Sequence, residues 1–121
     1  MTADPLPITV RQLLAGHIQT VEQLEVLLLL RSDPARAWTI NDIYGVVRSS
    51  HASIQTRLRN FVAEGFLAED KGPPQKFRFA PKDQNLRSAV DQTASAYQAW
   101  RLRVIEAIFA RHARNYLRDR I

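Results

Sequence analysis

The feature that most constrains this chain is a change in the period of its apolar residues between positions 51 and 79. From His51 to Gly65, Ile54, Leu58 and Phe61 recur at spacings of three and four, with Val62 beside them, so one stripe of a helix faces inward. From Lys76 to Phe79 the period falls to two, because basic and aromatic residues alternate strictly. Phe66 to Glu69 reads as the partner strand, and Asp70-Lys71-Gly72-Pro73-Pro74 as the turn between them. Gly65 is the expected C′ residue of the helix, since only glycine adopts the left-handed geometry there without strain. A helix must therefore end and feed directly into a hairpin, one face of which is basic.

The segments upstream supply shorter helices. Pro7 and Thr9 open a stretch in which Val10, Leu13, Leu14, His17 and Ile18 share a face, with an end expected near Gly16. Thr20 and Gln23 stand at capping-box spacing before VEQLEVLLLLR, where Val21, Leu24, Leu27 and Leu28 suit a helix buried on most sides. Ser32-Asp33-Pro34 ends it, and Trp38 follows in a short extended piece. Thr39 and Asp42 repeat the capping spacing and open INDIYGVVRS, with Ile40, Ile43, Val46 and Val47 on one face. Ser49 and Ser50 form a tight connection and cap the helix from His51. After Pro81, Asp83 caps a long helix whose apolar positions are Leu86, Val90, Ala94, Tyr97, Trp100 or Arg101, Val104 and Ile108. The final stretch, ARHARNYLRDRI, either continues that helix or starts another.

Composition narrows the function classes. The chain has 121 residues, enough for one domain with a real core, and its 17 Lys and Arg exceed its 12 Asp and Glu. The excess is uneven: residues 1–47 carry three basic residues against five acids, 48–82 seven against three, and 83–121 seven against four. The middle and end of the chain are the parts suited to a polyanion. With no cysteine, disulfides, thiolate metal sites and thiol redox sensing are all excluded. The longest apolar run, Val26 to Leu30, is far short of the roughly 20 residues of a membrane span, and the N-terminus has no signal-peptide pattern. A cytoplasmic, nucleoid-associated protein is the expectation.

Helix, extended piece, helix, tight turn, helix and basic hairpin is the order of a winged helix-turn-helix. The stretch SIQTRLRNFVAEGFL, followed by KFRFAP and a long C-terminal helix, resembles the recognition helix, wing and dimerisation helix of MarR- and PadR-like bacterial transcriptional regulators. That resemblance implies a mainly α fold with a small β-hairpin. It divides the chain into an N-terminal arm and short helix over residues 1–19, a winged helix-turn-helix core over 20–82, and a dimerisation helix with a basic tail over 83–121.

The physical case for duplex DNA stands beside the resemblance. With its apolar stripe inward, the third helix presents His51, Gln55 and Arg59 at four-residue spacing, flanked by Ser53, Thr56 and Asn60. These types hydrogen-bond to base edges in the major groove, so the six are candidate base contacts. Arg48, Ser49, Ser50, Arg57, Lys71, Lys76 and Arg78 are candidate backbone contacts, the serines because they sit where a helix offers free N–H groups. Val10, Leu13 and Leu14, with Leu86, Val90, Tyr97, Trp100, Val104 and Ile108, are the expected surface of a homodimer reading two half-sites.

Competing uses of the same residues weigh less. His17 and His112 lack companions at ligand spacing, so no metal is assigned. Trp38 and Tyr44 suit packing, and the carboxylates are scattered, so no catalytic pair, cofactor motif or enzyme activity is expected. The C-terminal arginines fall around the helix, which argues against a membrane-surface role. A sequence-specific regulator, acting as a repressor by occlusion, is the leading expectation. The alternative is a winged-helix module that binds a transcription or phage protein, and any small-molecule effector is left open.

Overall fold

The computed structural model describes residues 4–120, with the side chains of 4–110. The helices are α1 (Ile8–His17), α2 (Val21–Ser32), α3 (Ile40–Tyr44), α4 (His51–Ala63), α5 (Gln84–Ala99) and α6 (Arg101–Arg120). The strands β1 (Leu67–Asp70) and β2 (Lys76–Phe79) form an antiparallel hairpin between α4 and α5. The fold is thus mainly helical with one small hairpin. Its residues group into two compact units, one formed by the chain up to Val21 together with that from Ser88 onward, the other by Glu22–Arg87.

In the Glu22–Arg87 unit, α3 begins with a complete capping box. The Asp42 N–H donates to Thr39 Oγ1 at 3.1 Å while the Thr39 N–H donates to Asp42 Oδ2 at 2.9 Å. The helix is shorter than its sequence pattern suggests. Gly45 ends it, and Val46 and Val47 both donate to the Ile43 carbonyl, which tightens the last turn. Val47 stays under the helix, whereas Val46, expected on the buried face, is 61% exposed. A single turn cannot keep Ile43, Val46 and Val47 on one face once the chain leaves helical geometry.

Ser50 caps α4 by accepting the Ser53 N–H at 3.0 Å. Ile54, Leu58 and Phe61 are buried, as the apolar period requires, and Val62 is half-buried. The other end closes in a Schellman arrangement: Gly65 donates to Val62 O, Phe66 donates to Phe61 O, and Gly65 has φ +88°. The Phe66 ring meets the Phe61 ring edge-on, with centroids 5.3 Å apart, so the apolar contact that accompanies this motif is aromatic. The hairpin starts at once. Phe77 and Phe79 of β2 point into the core, and Trp38 joins Phe77 through two backbone hydrogen bonds of 2.7 and 2.8 Å, extending the hairpin by one bridge.

In the other unit α1 packs against α6, and Asp4 holds Arg103 at 2.7 Å. The Leu6 N–H first, and then Arg103, hold the Asp4 carboxyl below its ordinary pKa. Gly16 does not end α1, which runs on to His17. The single long C-terminal helix is corrected to two, because the chain bends at Trp100 although neither proline nor glycine stands nearby. The ladder closes on either side of the bend, where Trp100 donates to Ala96 O and Val104 donates to Trp100 O. The stripe expected to face a second copy is consumed within one chain: Val10, Leu13, Leu14, Val90, Val104 and Ile108 are all buried. Leu86 and Tyr97 are half-buried, and Trp100, at 51% exposure, is the one residue of that set left open. Side chains from Arg111 to Arg120, the basic tail of the sequence, lie outside the described residues.

Among the described residues no single helix is long and apolar enough to cross a membrane. Replacing Gly65 by Ala forces a Cβ into left-handed backbone and to within 2.5 Å of the Lys82 side chain. The substitution is expected to cost about 1–2 kcal/mol, read as a lower urea midpoint with unchanged slope.

Candidate nucleic-acid interface

The outward face of α4 carries Ala52, Thr56, Arg59, Asn60 and Ala63, all exposed. Thr56 folds its hydroxyl back onto the Ala52 carbonyl at 3.0 Å, whereas the side chains of Arg59 and Asn60 have no hydrogen bond or ion pair among the described residues. His51 lies at the edge of this face. Its ring stacks on Tyr44 at 4.1 Å and its Nε2 meets Asn41 Oδ1 at 2.8 Å, which ties the start of α4 to α3. Gln55 is half-buried one turn on, and with Asn41, His51, Pro74 and Gln75 it lines a cleft of about 470 Å³. The tip of the hairpin and the start of α4 are therefore the two sides of one groove.

The opposite edge of α4 does something the sequence did not suggest. Glu22, in the first turn of α2, receives three donors from α4 and the residues before it. Ser53 Oγ and Arg57 Nε each reach Glu22 Oε1 at 2.9 Å, and Ser49 Oγ donates to Oε2. Both members of the Glu22–Arg57 pair keep only about a fifth of their side-chain surface. Ser49, Ser53 and Arg57, expected at DNA, thus bind a carboxylate within the chain, and Ser50 accepts a backbone N–H as a helix cap. One signal in the sequence could have shown this: Ser49, Ser53 and Arg57 share the same four-residue spacing as His51, Gln55 and Arg59. Their partner, 27 to 35 residues away, has no local signature.

The hairpin is less basic than β2 alone implies. Register places Asp70 opposite Lys76 and Ala68 opposite Arg78, so one carboxylate shares the outer face with the two cations. Glu69 is engaged by the Gln75 amide, and Asp70 accepts the Gly72 N–H at 3.1 Å, which shapes the turn. Lys76 is half-buried; Lys71 and Arg78 are exposed, as is Arg48 before α4. Arg36 is spent elsewhere, with its guanidinium 3.7 Å from the Trp38 ring and 3.7 Å from Asp42. The exposed cations around α4 are accordingly Arg48, Arg59, Lys71 and Arg78, with Lys82 beyond β2.

Among the described residues no group of His, Asp and Glu could hold a metal ion. No protein-family model, curated protein or solved structure matches the chain.

Two measurements follow from this geometry. Arg57→Ala leaves a mostly buried carboxylate without its charged donor and should lower stability by about 1–3 kcal/mol, whereas Arg78→Ala on the exposed hairpin face should leave the melting curve unchanged. The second concerns Asp42, whose carboxyl is held below its ordinary pKa first by the Thr39 N–H and then by the Thr39 hydroxyl, with Arg36 and Lys76 adding to it. A depressed pKa in the folded chain means that the cap stabilises above the ordinary aspartate range and is lost as pH falls through the lowered value. Asp42→Asn should therefore be less stable at neutral pH and show a smaller further loss in acid, when melting is followed from neutral pH down through the carboxylate range.

Proposed function

We propose that the protein is a winged helix-turn-helix that binds double-stranded DNA and regulates transcription at the nucleoid, acting by occlusion in the manner of the MarR- and PadR-like regulators its sequence resembles. On this reading α3 and α4 are the two helices of the motif, α4 enters the major groove, and the β1–β2 hairpin is the wing. One observation carries the proposal: the start of α4 and the tip of the hairpin border a single cleft, with Arg59 and Asn60 exposed further along the helix. A helix can then sit against base edges while the wing lies along the phosphates.

Roles follow from exposure and from the donors that remain uncommitted. Arg59 suits the O6 and N7 acceptors of guanine; Gln55 and Asn60 suit adenine. Arg48, Lys71 and Arg78 suit phosphates, and they supply the salt-dependent part of the affinity. Thr56 offers its methyl to the groove, because its hydroxyl is bonded to its own helix. Ser49, Ser53 and Arg57 have a different role, fixing the orientation of α4 against α2 through Glu22.

Selection of duplexes from a randomised pool at two salt concentrations tests the proposal directly. Enrichment of one motif is the expected result. Arg59→Ala should then relax preference at one position by about 1–3 kcal/mol, while Arg78→Ala should weaken all sequences alike and reduce the salt slope by about 1. Absence of binding at any sequence, together with stoichiometric capture of a protein by the same face, would replace this reading with that of a protein-interaction module.

A further inference from the structure

On the outward face of α4, Thr56 offers carbon where its neighbours offer hydrogen-bonding groups. Its Oγ1 donates to the Ala52 carbonyl at 3.0 Å, one turn back in the same helix, although the residue is exposed. The only O–H of the side chain is thereby committed within α4, and the methyl group is the branch left for a partner. Ala52 is exposed as well, and it has no longer side chain to stand between Thr56 and an approaching surface. Beside them Gln55 ends in an amide, and Arg59 and Asn60 end in donors that no described residue engages.

A methyl group on the reading face of a helix has one counterpart in B-form DNA. Every base pair lines the floor of the major groove with hydrogen-bonding atoms, and the apolar group among them is the C5-methyl of thymine. Cytosine lacks that group and 5-methylcytosine regains it. The A·T pair that carries the methyl also carries adenine N6 and N7, the two atoms that an Asn or Gln amide bonds. Gln55, next to Thr56, and Asn60, one turn beyond it, supply such amides, so methyl and amide contacts can be met by the same short run of base pairs. We propose that Thr56 is a specificity residue that reads the C5-methyl group of a pyrimidine, so that binding distinguishes thymine or 5-methylcytosine at that position from uracil or cytosine. The inference rests on the DNA reading above and goes further, because it makes the methylation state of the duplex a determinant of affinity. An apolar contact is not screened by salt, so this discrimination persists at ionic strengths that weaken the phosphate contacts.

The test compares the duplex enriched from a randomised pool with the same duplex carrying uracil in place of each thymine in turn. At one position the full chain should lose about fourfold in affinity, the worth of one methyl group removed from water, and should lose it equally at low and high salt. With a cytosine–guanine pair at that position, adding the 5-methyl group to the cytosine should raise affinity by the same factor. Thr56→Val keeps the methyl and drops the hydroxyl, and it should retain the discrimination. Thr56→Ser keeps the hydroxyl and drops the methyl, and it should abolish it. Equal affinity for thymine and uracil duplexes, from a protein that still enriches a motif, would overturn this inference and leave the DNA reading standing. Discrimination that persists in Thr56→Ser would do the same. Failure to bind any duplex would overturn both.

Discussion

The outer faces of α4 and of the hairpin can both meet solvent only because their inner faces share one core, and the joint that makes this so is the Phe61–Gly65–Phe66 turn. Ile54, Leu58 and Phe61 rotate the helix so that its polar residues point outward. Gly65, at positive φ, reverses the chain within a residue, so that Phe66 comes back onto Phe61 and β1 begins beside the end of the helix. Phe77 and Phe79 then continue the same apolar layer from β2, which leaves Lys76 and Arg78 no face but the outer one. The display of charge is a consequence of where four aromatic rings are buried, and it would shift with the core before it shifted with any surface residue.

What could be read from sequence was what is encoded within a few residues. The Thr39–Asp42 box needs only a spacing of three, and the Gly65 terminus needs a glycine after an apolar repeat; both are present in the structure as their residue types demand. The alternation of KFRF, likewise local, gives the buried and outward sides of β2 correctly. The misplacements have a different origin. Glu22 engages Ser49, Ser53 and Arg57 across a separation that no periodicity spans, so a helix edge that looked ready for phosphate is neutralised internally. The apolar stripe of α5 and α6 was visible, but periodicity reports that a face is buried without saying against what. Intrachain packing claims Val90, Val104 and Ile108, and the bend at Trp100 exposes a different set.

The Glu22 cluster also changes the electrostatic expectations. A formal charge of +5 suggests a generous supply of phosphate ligands, yet Arg57, Arg36 and Arg103 each sit beside a carboxylate. Asp70 dilutes the outer face of the hairpin. The exchange favours order over charge. Three donors converging on one half-buried carboxylate hold α4 at a defined tilt, whereas the same donors left in water would contribute only salt-screened attraction. On the proposed reading, base contacts rather than phosphate contacts would carry specificity, so a fixed orientation of α4 would matter more than an extra cation beside it.

That exchange bears on the affinity the proposed function implies. If the α4 face binds DNA as proposed, Arg48, Arg59, Lys71, Arg78 and Lys82 are the exposed cations around it among the described residues, so this face alone would neutralise only a few phosphates and its sequence-independent affinity would belong at the weak end of DNA-binding domains, around 10⁻⁴ M. On the proposed reading, the fewer phosphates this face holds, the more its discrimination rests on the orientation of α4 that Ser53 and Arg57 fix through Glu22.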